Sequence, residues 1–132
     1  MIFVDTSYWI AEAIPRDGRH EEAARLAGTL SAARLTTSNA IVGETWTFLR
    51  RRTGYRFAIR WLDTVVASSN LMVSRIDEAL EEEAWAWLRV HDERPYSFVD
   101  ATSFVLMRKL RISDVLAFDG DFAAAGFNEL RP

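Results

Sequence analysis

Residues 2–7 read Ile2-Phe3-Val4-Asp5-Thr6-Ser7: an unbroken apolar run, then an aspartate, then two hydroxyl residues. A short apolar run without polar alternation is the pattern of a strand buried on both faces. Thr6 and Ser7 are both able to cap a helix, and the spacing that follows predicts one through Ile14, before Pro15 and Gly18 interrupt it. The same unit, a brief strand passing straight into an amphipathic helix, recurs outward from this point. A helix is predicted over roughly 20–33, with Ala23, Leu26, Ala27 and Leu30 on one face. Leu35-Thr36-Thr37 is a strand, and Ser38 or Asn39 caps a helix that runs to about Arg52. Gly54 closes it, and a further helix spans about Arg56 to Ser68.

Leu71-Met72-Val73 reads as a third strand, followed by a helix over 77–90 with an acidic outer face. Pro95 breaks that pattern, and Ser97 caps a helix over 98–110. Val115 to Phe118 is the clearest strand of the C-terminal half. Asp119-Gly120-Asp121 then turns into a short helical piece, with an edge strand expected at Phe127–Leu130. Short apolar strands alternating with amphipathic helices predict an α/β fold, a three-layer α/β/α sandwich with a short parallel central sheet. No repeat or linker divides the chain, so residues 1–132 are expected to form a single domain. In such folds the ligand crevice lies beyond the carboxyl ends of the strands, where strand order reverses.

Composition agrees. The chain has 132 residues, 49% apolar and 27% charged, which excludes a disordered protein and leaves room for one core. Cysteine is absent, excluding disulfides, thiolate metal sites and cysteine nucleophiles together. No apolar run approaches the roughly 18 residues of a membrane helix, and the N-terminus has no basic export region. A cytoplasmic protein without a membrane partner is the expectation. The net charge of −3 offers no general attraction to nucleic acid, yet all but Lys109 of the sixteen basic residues are arginine. Arginine's planar fork suits phosphate, so the placement of the arginines matters more than their sum.

Most of the nineteen acids occupy ordinary solvated positions, such as Glu81, Glu82 and Glu83 on one helix face. Four do not. Asp5 closes the first buried strand, where its capping duty is already available from Thr6 and Ser7. Glu44 shares a helix face with Ile41 and Phe48 rather than standing opposite them. Asp100 completes a capping box with Ser97, but Ala101 and Phe104 beside it point to a buried first turn. Asp119 and Asp121 frame a glycine at the carboxyl end of another strand, a position of the same kind as that of Asp5. Brought to one rim, such carboxylates repel one another, and a divalent cation removes the cost. Oxygen donors without nearby His or Cys suit Mg²⁺ or Mn²⁺, and such a site fits phosphodiester hydrolysis. His20 and His91 lie in unrelated segments and are expected to be solvated.

The pattern resembles the PIN-domain ribonucleases, and among them the VapC-type toxins of type II toxin–antitoxin pairs. The resemblance is carried by Val4-Asp5-Thr6-Ser7, by Glu44 in Ser38-Asn39-Ala40-Ile41-Val42-Gly43-Glu44, by Ser97-Phe98-Val99-Asp100-Ala101, and by Ala117-Phe118-Asp119-Gly120-Asp121-Phe122 with Gly126-Phe127. It covers roughly residues 1–130 and implies a Mg²⁺- or Mn²⁺-dependent endoribonuclease. Asp5, Glu44, Asp100 and Asp119 are the implied acidic quartet, with Asp121 as a further metal ligand and Thr6 or Ser7 positioning a ligand. It also implies a homodimer, an RNA substrate and a cognate antitoxin in the active-site groove. The chain departs from the pattern after Asp100, where Thr102 and Ser103 stand in place of an asparagine.

Arg50, Arg51 and Arg52, followed by Arg56 and Arg60, are candidate phosphate contacts that would position RNA without reading its sequence. Among the tryptophans, Trp61, Trp85 and Trp87 are expected in the core or a dimer contact, and Trp9 near the substrate. Two alternatives compete: an aspartate-based phosphatase or phosphoacceptor domain, and a catalytically inactive partner-binding module. The first normally carries paired acids after its first strand and a lysine at a late strand end. In this chain Ser7 stands where the second acid would, and Lys109 is in mid-helix. The second is disfavoured by the intact quartet.

Overall fold

The structure, a computed structural model, describes residues 1–132. Its strands are β1 (Ile2–Val4), β2 (Leu35–Ser38), β3 (Leu71–Ser74), β4 (Asp114–Leu116) and β5 (Asn128–Glu129). Its helices are α1 (Thr6–Ala13), α2 (His20–Thr29), α3 (Asn39–Thr53), α4 (Tyr55–Ala67), α5 (Glu78–Arg89), α6 (Phe98–Leu110) and α7 (Asp121–Ala124). The strands form one sheet in the order β3-β2-β1-β4-β5, and every pairing is parallel. The expected α/β sandwich with a short parallel sheet is the fold observed.

The chain starts in the centre of the sheet, moves outward through β2 to β3, and returns to β4 on the other side of β1. Crossovers that leave β1 in two directions, each of the usual hand, place helices on both faces. On one face Leu35, Leu71 and Leu116 lie under Tyr8 and Trp9 of α1, Leu30, and Trp61 of α4. On the other, Phe3 meets Phe122 of α7, which in turn packs edge-on against Phe104 of α6, with Trp87 of α5 beside it. Helix α3 packs on α1, α4 and α6, so it ties the two helical layers together at one end of the sheet. The strand order reverses between β1 and β4, so the carboxyl ends of these two strands are where such folds place their ligand crevice.

Several boundaries differ from the sequence reading for local reasons. Ile14 precedes Pro15 and is extended, so α1 stops at Ala13. Helix α2 ends at Thr29, four residues short of the expected end, because the chain turns at Leu30. Ala117 and Phe118 leave β4 early: the Phe118 amide donates to Ser7 Oγ at 2.9 Å instead of to a neighbouring strand. The α1 cap is Asp5 itself, and not Thr6 or Ser7, which are the first helical residues. Trp9 is buried in the core, edge-on to Trp61. Trp61 and Trp87 are buried as expected, whereas Trp85 is 48% exposed and stacks on Phe98.

Candidate active site

Asp5 is the residue that β1 delivers to the crevice. Its backbone N–H donates to Leu116 O at 3.0 Å, continuing the β1–β4 pairing by one step and setting the depth of the side chain. Its Oδ2 accepts the Ser7 N–H at 3.0 Å and the Ser7 hydroxyl at 2.6 Å. Ser7 Oγ in turn accepts the Phe118 amide, so one serine joins the end of β1 to the loop after β4. Thr6 is buried and accepts a hydrogen bond from Thr45 of α3 at 3.2 Å. These two hydroxyls are engaged in holding the backbone and Asp5 in place.

Asp100 arrives on the first turn of α6. The capping box is complete: Ser97 Oγ accepts the Asp100 N–H, and Asp100 Oδ2 accepts the Ser97 N–H, each at 2.9 Å. Ala101 and Phe104 below it are fully buried, which anchors that turn. Capping and service in the site coexist, because a carboxylate has two oxygens and more lone pairs than the cap uses. Thr102 and Ser103 turn away from the crevice: both hydroxyls donate to Val99 O, at 2.7 and 3.0 Å.

Asp119 completes the group from the loop after β4. One carboxylate oxygen from each of Asp5, Asp100 and Asp119 lies within 4.8 Å of the other two. Asp5 is buried to 3% exposure, Asp100 is half-buried and Asp119 stands at the rim. Burial pushes the Asp5 carboxyl up to about 7, with the charge of Asp119 adding to the effect and the Ser7 hydrogen bonds opposing it. Partial burial raises Asp119 to about 6, helped by the charges of Asp121 and Asp100. Asp100 is raised as well, first by burial. Two of the three sit at helix N-termini, Asp5 capping α1 and Asp100 in the first turn of α6, where the peptide dipoles favour negative charge.

Glu44 and Asp121 stand outside this trio. Glu44 lies on the exposed side of α3, near enough to add to the charge around Asp100. Phe48, one turn on, is 37% exposed, so the face they share borders a groove instead of the core. Asp121 is held by Arg94, whose Nε and Nη2 donate to Oδ1 at 3.0 and 2.8 Å. Its own N–H donates to Asp119 Oδ1 at 3.0 Å, which steadies the Asp-Gly-Asp turn. Gly120 adopts φ +81° in that turn, a left-handed conformation that L side chains rarely take. Arg51 and Arg52 line the groove beside Glu44, while Arg50 turns toward the ring of Tyr55.

Two contributors have no local signal in the sequence. Arg94 sits in the loop between α5 and α6, within a run of mixed charges that reads as solvated surface. Glu129 lies on the last strand, and its carboxylate accepts the N–H groups of Gly120 and Ala123, both at 3.2 Å. Only the return of β5 alongside β4 brings it under the turn. The histidines are elsewhere: the Nδ1 of His20 bonds Ala11 O, and His91 stacks on Trp87 at 3.8 Å.

The PIN domain family profile matches residues 2–128. The chain belongs to the PIN-domain family. Two relatives, both described as the 23S rRNA-specific endonuclease VapC20, come from Mycobacterium tuberculosis strains CDC 1551 / Oshkosh and ATCC 25618 / H37Rv. Each is 52% identical over 132 residues, covering 100% of this chain and 99% of the relative. The crystal structure of Mycobacterium tuberculosis VapC20, described as a sarcin–ricin loop cleaving toxin, superposes with a TM-score of 0.93 at 50% identity, each chain fully covered. The PIN fold of this chain thus gathers three carboxylates from β1, α6 and the β4 loop at the point where strand order reverses.

Carboxylate oxygens with no nitrogen or sulfur donor are the ligand chemistry of Mg²⁺ and Mn²⁺. Donors bound at a little over 2 Å from one ion are separated by up to about 4 Å, and the trio is within small side-chain rotations of that spacing. Its raised carboxyls report repulsion and desolvation that a cation relieves. The residues fit such an ion.

Proposed function

We propose that this PIN-domain chain is a metal-dependent endoribonuclease, the toxin of a toxin–antitoxin pair, cutting 23S ribosomal RNA at its sarcin–ricin loop. What carries the reading is the 52% identity to VapC20 over the whole chain, with no insertion or truncation that would remove the site. Asp5, Asp100 and Asp119 would hold Mg²⁺ or Mn²⁺, with Glu44 and Asp121 acting from the margin. Bound there, the cation supplies shielding for negative charge developing on a phosphoryl oxygen.

The chain's own residues do the rest. Ser7 and the α1 N-terminus hold Asp5 in one orientation, and the capping box does so for Asp100. Hydrolysis forms a bond from water oxygen to phosphorus and breaks one ester P–O bond, the proton ending on the leaving oxygen. Burial and the charge of Asp119 hold the Asp5 carboxyl up near 7 in the metal-free chain, and a cation held there would favour its ionised, ligating form. Arg94 offsets the charge of Asp121, which keeps that carboxylate from adding its full repulsion to the trio.

The other parts of the reading are a cognate antitoxin that covers the crevice and a homodimer. The solvent-facing Trp85 ring, stacked on Phe98 at 4.4 Å, supports a contact between copies. A cytoplasmic setting follows from the ribosomal substrate. No helix is long and apolar enough to cross a membrane.

The test is incubation of the purified chain with ribosomes and total RNA in Mg²⁺, Mn²⁺ or EDTA, with mapping of new ends. A single cut in the sarcin–ricin loop, absent in EDTA, is expected. RNA left intact with both metals would replace this reading with the inactive partner-binding module, and phosphate release from an acyl phosphate with the phosphatase alternative.

A further inference from the structure

A groove of about 860 Å³ runs along α3 away from the acid trio. Glu44 and Val99, the neighbour of Asp100, form its near end, and Arg51 and Arg52 its far end. Gly43 stands beside Glu44 at the near end, and Phe48 lies between the two ends.

Gly43 is the unexplained residue. It stands in the interior of a helix of 15 residues, where glycine is less favourable than alanine by roughly 0.8–1 kcal/mol. A Cβ at this position would meet nothing within 4 Å, and the backbone is not in the left-handed region. Neither packing inside the protein nor chain conformation calls for glycine there. What its missing side chain leaves is a bare strip of helix backbone facing the groove.

Phe48 supplies a second observation. Its ring is 37% exposed, with the Arg52 guanidinium 5.9 Å from its centre. An exposed aromatic flanked by arginine is the arrangement on which unpaired bases stack. Charge agrees: the acids that would hold a cation stand at one end and two guanidiniums without a carboxylate partner at the other. From Glu44 to Arg51 the helix rises roughly 11 Å, about three stacked nucleotide steps, and fewer when the strand is extended.

We propose that α3 is the track for the unpaired RNA strand on one side of the cut. The sugar–phosphate backbone passes over Gly43, a base stacks on Phe48, and the next phosphates meet Arg51 and Arg52. This rests on the endoribonuclease reading and specifies where its substrate lies.

The experiment compares wild type, Gly43→Ala, Phe48→Ala and Arg51→Gln with a sarcin–ricin loop oligonucleotide, measuring KM, kcat, melting temperature and sedimentation. Gly43→Ala should melt higher than wild type by a few degrees while its KM rises several-fold, a combination that structural damage does not produce. Phe48→Ala should raise KM roughly ten-fold, the scale of one lost stacking contact. Arg51→Gln should flatten the salt dependence of log KM by about 0.7, one phosphate's share for a single strand. Unchanged KM in Gly43→Ala and Phe48→Ala, with wild type cutting normally, overturns the track alone. Dissociation of a dimer by Phe48→Ala at unchanged KM also overturns it and gives the face to a second copy of the chain. Failure of the wild type to cut any RNA overturns the activity and the track together.

Discussion

At the scale of single residues, Asp5 carries the sharpest conflict between stability and function. The carboxylate is buried, and its proton is held well above the ordinary carboxylate range. Asparagine keeps an acceptor for Ser7 and removes the disfavoured charge. Asp5→Asn is therefore expected to melt no lower than wild type at pH 8 while cleaving roughly 100- to 1,000-fold more slowly, the usual size of one lost electrostatic group. Asp121, paired to Arg94 and outside the trio, should matter less. Asp121→Asn is expected to lose about ten-fold, the range for a group that supports a ligand from behind. Equal losses in the two variants, measured by single-turnover cleavage, would place Asp121 among the direct ligands.

At the scale of elements, helix N-termini do the positioning. The α1 cap and the α6 capping box each orient an acid while satisfying backbone donors that the helix leaves open. Ser97→Ala removes one half of the α6 box and should cost about 1 kcal/mol. For a chain of this size that is a fall of roughly 3–5 °C in melting temperature. Cleavage should decline less than in Asp100→Asn, because the Ser97 N–H still reaches the Asp100 carboxylate. Calorimetry with a matched rate measurement separates the two effects; a rate loss as deep as that of Asp100→Asn would mean the box itself fixes the reactive geometry.

At the scale of the whole molecule, the raised carboxyls link protons, metal and stability. Asp5, Asp100 and Asp119 bind protons more tightly in the folded chain than at the ordinary value of 3.8. Between about pH 4 and 7 the native state therefore carries more protons than the unfolded one, and stability falls as pH rises through that window. For Asp5 alone, a rise from 3.8 to about 7 corresponds to a loss on the order of 4 kcal/mol. In EDTA the protein should melt higher at pH 5 than at pH 8. Mg²⁺ should restore more at pH 8 than at pH 5, where protons compete for the same oxygens. Differential scanning fluorimetry at the two pH values, with and without metal, checks both halves; a Mg²⁺ effect that is the same at both would deny that the trio is the binding site.

The alternation of short apolar runs with amphipathic segments was enough to specify a parallel α/β sheet, because the central strands β1, β2 and β4 are largely buried on both faces and most of the helices on one. The same local logic marked Asp5, Asp100 and Asp119, since an acid at a strand end or in a buried first turn is out of place by its neighbours alone. Their convergence came from topology, from the return of the chain to the other side of β1, which no window of sequence contains. Arg94 and Glu129 were invisible for that reason: each lies in an unremarkable stretch and acquires its role only when distant backbone arrives beside it. The capping duty of Asp5 is not legible in the sequence, because three adjacent residues have equal chemical claim to the cap. The strand end, pinned by Leu116, decided among them. Periodicity and residue type act through neighbours along the chain and are written in the sequence, whereas burial, shared charge and the shape of the α3 groove arise from segments that meet only in three dimensions.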